Sequence, residues 1–169
     1  MKVAAISLLS AVFLAISGTT VLAQDSGSDY YREVIGDWTL LTVPGSDGET
    51  RCLVGTASND GELRTSYITR SDLLFDIRLA NVSIPDGIYR ISLQVDNNTP
   101  VSFDRAIVDA GRILIRVETS PENLALLAGI IAGNELVLLS NLMDPAALFS
   151  LGGSTAALTW LRDCSREVE

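Results

Sequence analysis

The sequence of 169 residues contains no histidine, and its single lysine is Lys2. A serine nucleophile needs a base within hydrogen-bond reach, usually histidine or lysine, and Schiff-base chemistry needs a lysine. Zinc and copper sites usually need histidine or several cysteines, and this chain has only two cysteines. We therefore expect no enzyme of these classes, no catalytic residue, no metal site and no cofactor.

The N-terminus has the pattern of a secretory signal peptide. Lys2 supplies a positive charge, residues 3–16 are almost wholly apolar, and small residues lead to Ala23. This apolar run is too short to span a membrane. We predict that residues 1–23 are removed between Ala23 and Gln24, which leaves no integral membrane segment. An uncleaved N-terminal anchor is the alternative.

The remaining chain is predicted to form one domain. Residues 24–33 are polar and are expected to be a flexible lead-in, followed by a single β-rich domain over residues 34–166. Loss of Lys2 makes the mature chain one charge more negative than the −9 of the full sequence. A strongly acidic surface repels nucleic-acid phosphates and anionic lipids, so nucleic acid is not expected as a partner.

Cys52 and Cys164 are the two cysteines, and they allow one pairing. In an exported chain an even number of cysteines indicates a disulfide. The bond would close a long loop, which favours the folded state by about 4–5 kcal/mol on a chain-entropy argument. The alternative, a redox pair or two free thiols, lacks the close C-x-x-C spacing that tunes thiol acidity.

The middle of the chain predicts an antiparallel β-sandwich or barrel-like fold. Apolar residues alternate with polar ones, as in Tyr89 to Val95 and Phe75 to Leu79, which is typical of half-buried strands. Turn signals rich in Gly, Asn and Asp separate these runs. The predicted strands cover residues 37–43, 51–58, 63–69, 72–80, 88–95, 101–108, 112–118 and 134–140.

Two short helices are predicted near the C-terminus. The first has Ser120 as its N-cap, Pro121 in its first turn and Gly133 after its end. The second is predicted from Thr155 to about Asp163, with Ser154 as its cap.

The second helix follows a Gly152-Gly153-Ser154-Thr155 stretch that has two interpretations. A reactive loop would need a base that the mature chain lacks, so we interpret the glycines as a hinge into the helix. Helical spacing then places Trp160 and Cys164 on the same apolar face, directed toward the core. In that position Cys164 can meet Cys52 in the sheet.

Several short motifs resemble the invasion-associated locus B family of exported bacterial proteins. They are Ile35-Gly36-Asp37-Trp38, Arg51-Cys52-Leu53, Pro100-Val101-Ser102-Phe103, a short helix ending in Gly133, and the closing stretch of residues 150–158. The resemblance covers about residues 34–162. It implies a small periplasmic or secreted β-rich domain linked to the cell envelope or a host, with no established enzymatic chemistry and no known cofactor.

Three aromatic residues are candidate partner contacts. Tyr30 and Tyr31 lie in the polar lead-in and are expected to be exposed. Trp38 opens the first predicted strand, where a core position is the favoured alternative. Trp160 is expected in the core with its helix.

The sequence thus predicts a non-catalytic envelope or secreted interaction protein whose partner is an unidentified protein or envelope component. One alternative is a periplasmic inhibitor of a basic enzyme such as lysozyme, because the chain is acidic. A second is a hydrolase that uses paired carboxylates, which needs no histidine. Its candidate residues are Asp76, Asp96, Asp104, Asp109, Glu118 and Glu122.

Overall fold

The computed structural model describes residues 31–45, 48–69, 71–140 and 147–168. The predicted cleavage site at Ala23 and Gln24 and the candidate contact Tyr30 lie outside these residues. The described chain forms ten strands and two helices. They are β1 (Arg32–Ile35), β2 (Trp38–Pro44), β3 (Thr50–Ser58), β4 (Gly61–Tyr67), β5 (Leu73–Leu79), β6 (Gly87–Val95), β7 (Val101–Asp109), β8 (Arg112–Val117), α1 (Pro121–Ala132), β9 (Glu135–Leu139), β10 (Ala147–Ser150) and α2 (Ser154–Glu167).

The strands form one sheet in the order β1-β2-β3-β4-β5-β8-β7-β6-β9-β10. Every pairing among the described strands is antiparallel. The sheet is not closed, but it curves until β10 contacts β3 and β4. The predicted mainly-β, antiparallel fold with two late helices is confirmed.

Alternating side chains build the core. On β5, Leu73, Phe75 and Ile77 are buried, and the residues between them face outward. The same period of two places Cys52 and Val54 of β3 on the inner face. All eight predicted strands are present, with ends within two residues of the prediction.

Two strands were not predicted. β1 begins at Arg32, inside the segment predicted to be a flexible lead-in, and it pairs with β2 along its whole length. Its residues are mostly exposed, so they carry no apolar alternation to reveal a strand. β10 has only four residues, Ala147–Ser150, and pairs with β9.

The first helix is capped as the sequence predicts. The Ser120 hydroxyl accepts a hydrogen bond from the Asn123 backbone N–H at 3.1 Å, and Pro121 starts α1. Leu126 and Ile130 are buried against the sheet, and Gly133 ends the helix. No helix in the described ranges combines the length and apolarity that a membrane span requires.

The second helix differs from its prediction at both ends. It extends to Glu167, and its N-cap is Gly153 rather than Ser154. Ser154 is buried and donates its hydroxyl hydrogen to the Ile130 carbonyl at 2.6 Å, so the cap prediction is wrong. The physical reason is that α2 starts against the end of α1, whose last carbonyls lack helical partners. The Thr155 hydroxyl likewise donates to the Ile131 carbonyl at 2.7 Å.

Candidate functional site

The predicted disulfide is present and joins β3 to α2. Cys52 and Cys164 are bonded, and their Cα atoms are 6.1 Å apart, within the range usual for disulfides. Cys52 is buried, and Cys164 is partly buried against the core. The bond therefore fixes the last helix to an early strand from the inner side of the sheet.

Next to this bond, Tyr31 stacks on Trp160. The ring centroids are 5.8 Å apart and the ring planes differ by 15°. Tyr31 is 45% exposed, and Trp160 is partly buried, so the predicted core position of Trp160 is only partly correct. We call Tyr31 and Trp160 the aromatic surface.

Backbone hydrogen bonds position Tyr31, and the helix that carries the cysteine positions Trp160. The Tyr31 N–H donates to the Thr42 hydroxyl at 3.0 Å, and the Thr42 N–H donates to the Tyr31 carbonyl at 3.0 Å. Thr42 lies opposite Cys52 in the β2–β3 pair, and Trp160 lies one helical turn before Cys164. Tyr31 is thus held beside the strand residue that faces Cys52, and Trp160 lies on the same helix as Cys164.

One charged group, Glu33, contacts the aromatic surface, and an ion pair lies farther along α2. The Tyr31 hydroxyl donates to the Glu33 carboxylate, and this hydrogen bond is the main reason that the pKa of Tyr31 is raised. On α2, Arg162 pairs with Asp163 at 2.9 Å, and this contact lowers the pKa of Asp163. The rings therefore present an apolar area beside the Glu33 carboxylate.

Trp38 is not a surface contact. Its side chain is 1% exposed and is among the largest fully buried groups of the core. It opens β2 on the inner face, opposite Thr56 of β3. Alternation along β2 directs it inward, which removes it from the candidate partner contacts and agrees with the core alternative.

The two ends of the domain meet in a tight contact, which we call the terminal clamp: Gly36, Asp37, Ser150, Gly152 and Gly153. The Asp37 N–H donates to the Gly152 carbonyl at 2.8 Å, and the Ser150 hydroxyl donates to the Asp37 carboxylate at 2.5 Å. The Gly152 N–H donates to the Ser150 hydroxyl oxygen at 3.2 Å. These bonds join the β1–β2 turn to the β10–α2 turn.

Glycine is required where these turns cross. Gly36 has φ +59°, and a Cβ there would lie 2.4 Å from the Gly152 carbonyl oxygen. Gly153 has φ +97°, and its Cβ would lie 2.4 Å from the Ile35 carbonyl oxygen. The glycine pair before α2 therefore serves close backbone packing, and the Ser154 and Thr155 hydroxyls after it are used by α1 carbonyls.

Arginines pair with three of the six candidate hydrolase carboxylates. Two of the pairs join neighbouring strands, and the third joins Arg116 of β8 to Glu118 just after the strand, so these are surface charge pairs. The distances are 2.5 Å for Asp76–Arg112, 3.2 Å for Asp104–Arg90 and 3.5 Å for Glu118–Arg116. No hydrogen bond or ion pair that the structure describes joins two of the six carboxylates.

Asp96 has a structural role. Its carboxylate accepts hydrogen bonds from the backbone N–H groups of Asn134, at 3.2 Å, and Glu135, at 3.0 Å. These bonds hold the start of β9 against the end of β6. Across the described residues, no three acidic or cysteine side chains are placed to hold a metal ion together.

No protein-family model matches this chain, and no curated protein matches it in sequence. Its fold is similar to that of invasion associated protein B from Bartonella henselae, as seen in a crystal structure. The TM-score is 0.54, and the two chains are 16% identical over a match that covers 80% of this chain and 99% of the other. The distant resemblance to this family is thus confirmed at the level of the fold.

The structure shows what the first and last of the five motifs do. The Gly36-Asp37 motif and the closing Ser150 to Gly153 stretch are the two halves of the terminal clamp. These two motifs therefore reflect how the two ends of the domain pack together. The sequence predicted an exposed Tyr31, but in a flexible segment, and it predicted Trp160 in the core. It did not predict that the two rings stack.

Proposed function

We propose that this protein is an exported, non-catalytic interaction protein of the bacterial cell envelope, and that it binds its partner through the aromatic surface. The secretory pattern of residues 1–23, the Cys52–Cys164 disulfide and the fold likeness to invasion associated protein B support export. The proposed location is the periplasm or the exterior of the cell.

The observation that carries the proposal is the stacking of Tyr31 on Trp160 beside the disulfide. Large aromatic side chains supply much of the binding energy of protein interfaces, and they do so best when they are ordered before binding. Here Tyr31 is held in place by backbone hydrogen bonds to β2, and Trp160 lies on a helix that the disulfide joins to β3. A partner would therefore lose little free energy in ordering them.

A second candidate function is inhibition of a basic enzyme such as lysozyme, and the acidity of the chain favours it. The full sequence has a net charge of −9 and a pI of about 4.4. Charge complementarity raises association rates and is weakened by salt. Loss of the complex between 50 and 300 mM salt would favour this candidate, with activity of hen lysozyme as the readout.

A capture experiment with matched variants tests the proposed function. The oxidised protein, residues 24–169, is immobilised and exposed to an envelope extract, beside Tyr31→Ala and the control Ile88→Ala. Ile88 is a suitable control because it is 65% exposed on β6, away from the aromatic surface. We expect wild type and Ile88→Ala to retain the same component, and Tyr31→Ala to retain about tenfold less. Equal retention by Tyr31→Ala, or no specific retention by wild type, would contradict the proposal.

A further inference from the structure

Strands β7 and β8 part after a short pairing. They are paired over three residue pairs next to their turn, from Ile107 with Leu114 to Asp109 with Arg112. Beyond this point β7 continues to pair with β6, and β8 with β5. Within the described chain, residues 101–106 of β7 consequently have a strand partner on one side alone.

A β-bulge lies where the strands part. Tyr89 pairs with Ala106, whereas Ile91 pairs with Phe103, so Arg90 of β6 faces two residues of β7. Those residues, at positions 104 and 105, are both exposed. A bulge bends its strand and increases the local twist, which turns the first half of β7 away from β8.

The parting opens a groove between the first half of β7 and the first turns of α1, which we call the β7 groove. Its volume is about 640 Å³, within the range of ligand-binding clefts. Val101 and Phe103 line it as partly buried apolar side chains of β7. Glu122, Asn123 and Ala125 line it from α1.

The unpaired edge of β7 determines which ligand suits this groove. Successive residues of a strand direct their N–H and C=O groups to opposite sides, so about half of those in residues 101–106 point away from β6. An added strand satisfies such groups, and its alternate side chains can contact Val101 and Phe103. Six extended residues span about 20 Å, so a peptide of this length matches the free edge.

We infer that the β7 groove binds an extended peptide segment of a partner protein, which adds as a strand to the free edge of β7. The segment has apolar side chains at alternate positions and a basic side chain near Glu122. The carboxylate of Glu122 at the groove and the negative net charge of the chain favour a basic ligand. This inference is independent of the proposed function, because the aromatic surface lies on a different strand and helix.

Fluorescein-labelled decapeptides in which Val, Ile or Phe alternates with Thr or Arg serve as probes. Their binding to the oxidised protein, residues 24–169, is measured by fluorescence anisotropy. Ala125→Trp fills the groove from the exposed side of α1, and Ala128→Trp is the control because Ala128 is exposed on the same helix and does not line the groove. We expect Ala125→Trp to weaken binding about tenfold or more and Ala128→Trp to leave it unchanged.

Two further measurements separate strand addition from simple apolar contact. Methylation of alternate peptide nitrogens removes backbone donors, so the methylated probe should lose binding. Glu122→Gln should weaken binding of the Arg-containing probes and leave the Thr-only probes unchanged. The inference is overturned by probes that do not bind, by equal binding to Ala125→Trp, or by full binding of the methylated probe. None of these outcomes affects the Tyr31→Ala result, so the two proposals can fail separately.

Discussion

Around the terminal clamp, the first and last elements of the domain are held by backbone contacts, side-chain hydrogen bonds and a covalent bond. At the β7 groove, two strands that are neighbours in the sheet share three residue pairs and then separate. The clamp leaves no room for a Cβ at Gly36 or Gly153, whereas the groove is an open depression of about 640 Å³. One sheet thus contains a tightly closed region and an open one.

This difference separates two ways in which a small domain can present a binding surface. At the aromatic surface, the two rings are ordered in advance, so under our proposal it suits a partner that matches a fixed shape. At the groove, backbone groups are left without a strand partner, so the surface suits a ligand that supplies one. The following predictions test whether the two regions differ in stability as their contacts imply.

The largest expected effect is on removal of the disulfide. The variant Cys52→Ser/Cys164→Ser should lose about 4–5 kcal/mol of unfolding free energy, since the bond closes a loop with a sequence separation of 112 residues. Urea denaturation of the oxidised wild type and the variant measures the change. Hydrogen exchange should quicken in α2 far more than in β7. A loss below about 1 kcal/mol would mean that the bond does not constrain the unfolded chain in this way.

A pair of glycine substitutions compares the clamp with an uncrowded turn. Gly36→Ala should cost about 3 kcal/mol or more, because Gly36 has φ +59° and a Cβ there would clash with the Gly152 carbonyl. Gly111→Ala, in the β7–β8 turn, should cost about 1–2 kcal/mol, since its φ is +75° but nothing lies within 4 Å of a Cβ. Thermal unfolding of both variants gives the ratio, and equal costs would argue against tight packing at the clamp.

A buried hydroxyl on β4 offers a stabilising substitution. Thr65 is buried, and its hydroxyl has no hydrogen-bond partner among the described residues. Thr65→Val keeps the shape and removes the unpaired polar group, so it should raise the unfolding free energy by about 1 kcal/mol. The control is Thr42→Val, which removes the acceptor of the Tyr31 N–H and should destabilise. A destabilised Thr65→Val variant would show that the hydroxyl is satisfied in solution.

The smallest expected effect is a pH-dependent change in stability at Asp72, which pairs with Arg116 of β8. The hydrogen bond from Arg116 is the main cause that lowers the pKa of Asp72 below its ordinary 3.8, and the Asp72 side chain is 13% exposed. A lowered pKa in the folded state contributes stability above the ordinary pKa, and that stability is lost as pH falls through the folded value. Wild type should therefore melt above Asp72→Asn at neutral pH, and the difference should shrink below about pH 4.

The matched control for Asp72 is Asp104→Asn. Asp104 pairs with Arg90 on the outer face, where both side chains are more than 70% exposed, so its removal should change the melting temperature little. A difference for Asp72→Asn that stays constant down to pH 2 would contradict the assigned pKa direction.

Much of the closed region could be predicted from the sequence, because its signals are local or countable. Two cysteines allow one pairing, and alternating residues mark the strands they join. The role of Ser154 could not be predicted, since its partner is the Ile130 carbonyl of another helix. β1 was missed because its residues are exposed and lack alternation.

The sequence of β7 contains one indication of the open region that the sequence analysis missed. The buried side of β7 changes from odd positions, at Val101 and Phe103, to even positions, at Ala106 and Val108. Such a change of parity within one strand indicates a bulge. It does not reveal that β8 separates from β7 there, because that depends on how β8 pairs with β5.

The central claim is that the Cys52–Cys164 bond fixes α2 to β3, and we propose that it forms outside the cytoplasm. The most direct test is a thiol titration of protein recovered from the periplasm or culture medium and denatured without reductant. This account predicts no reactive thiol and an N-terminus at Gln24. Two reactive thiols per chain would contradict it.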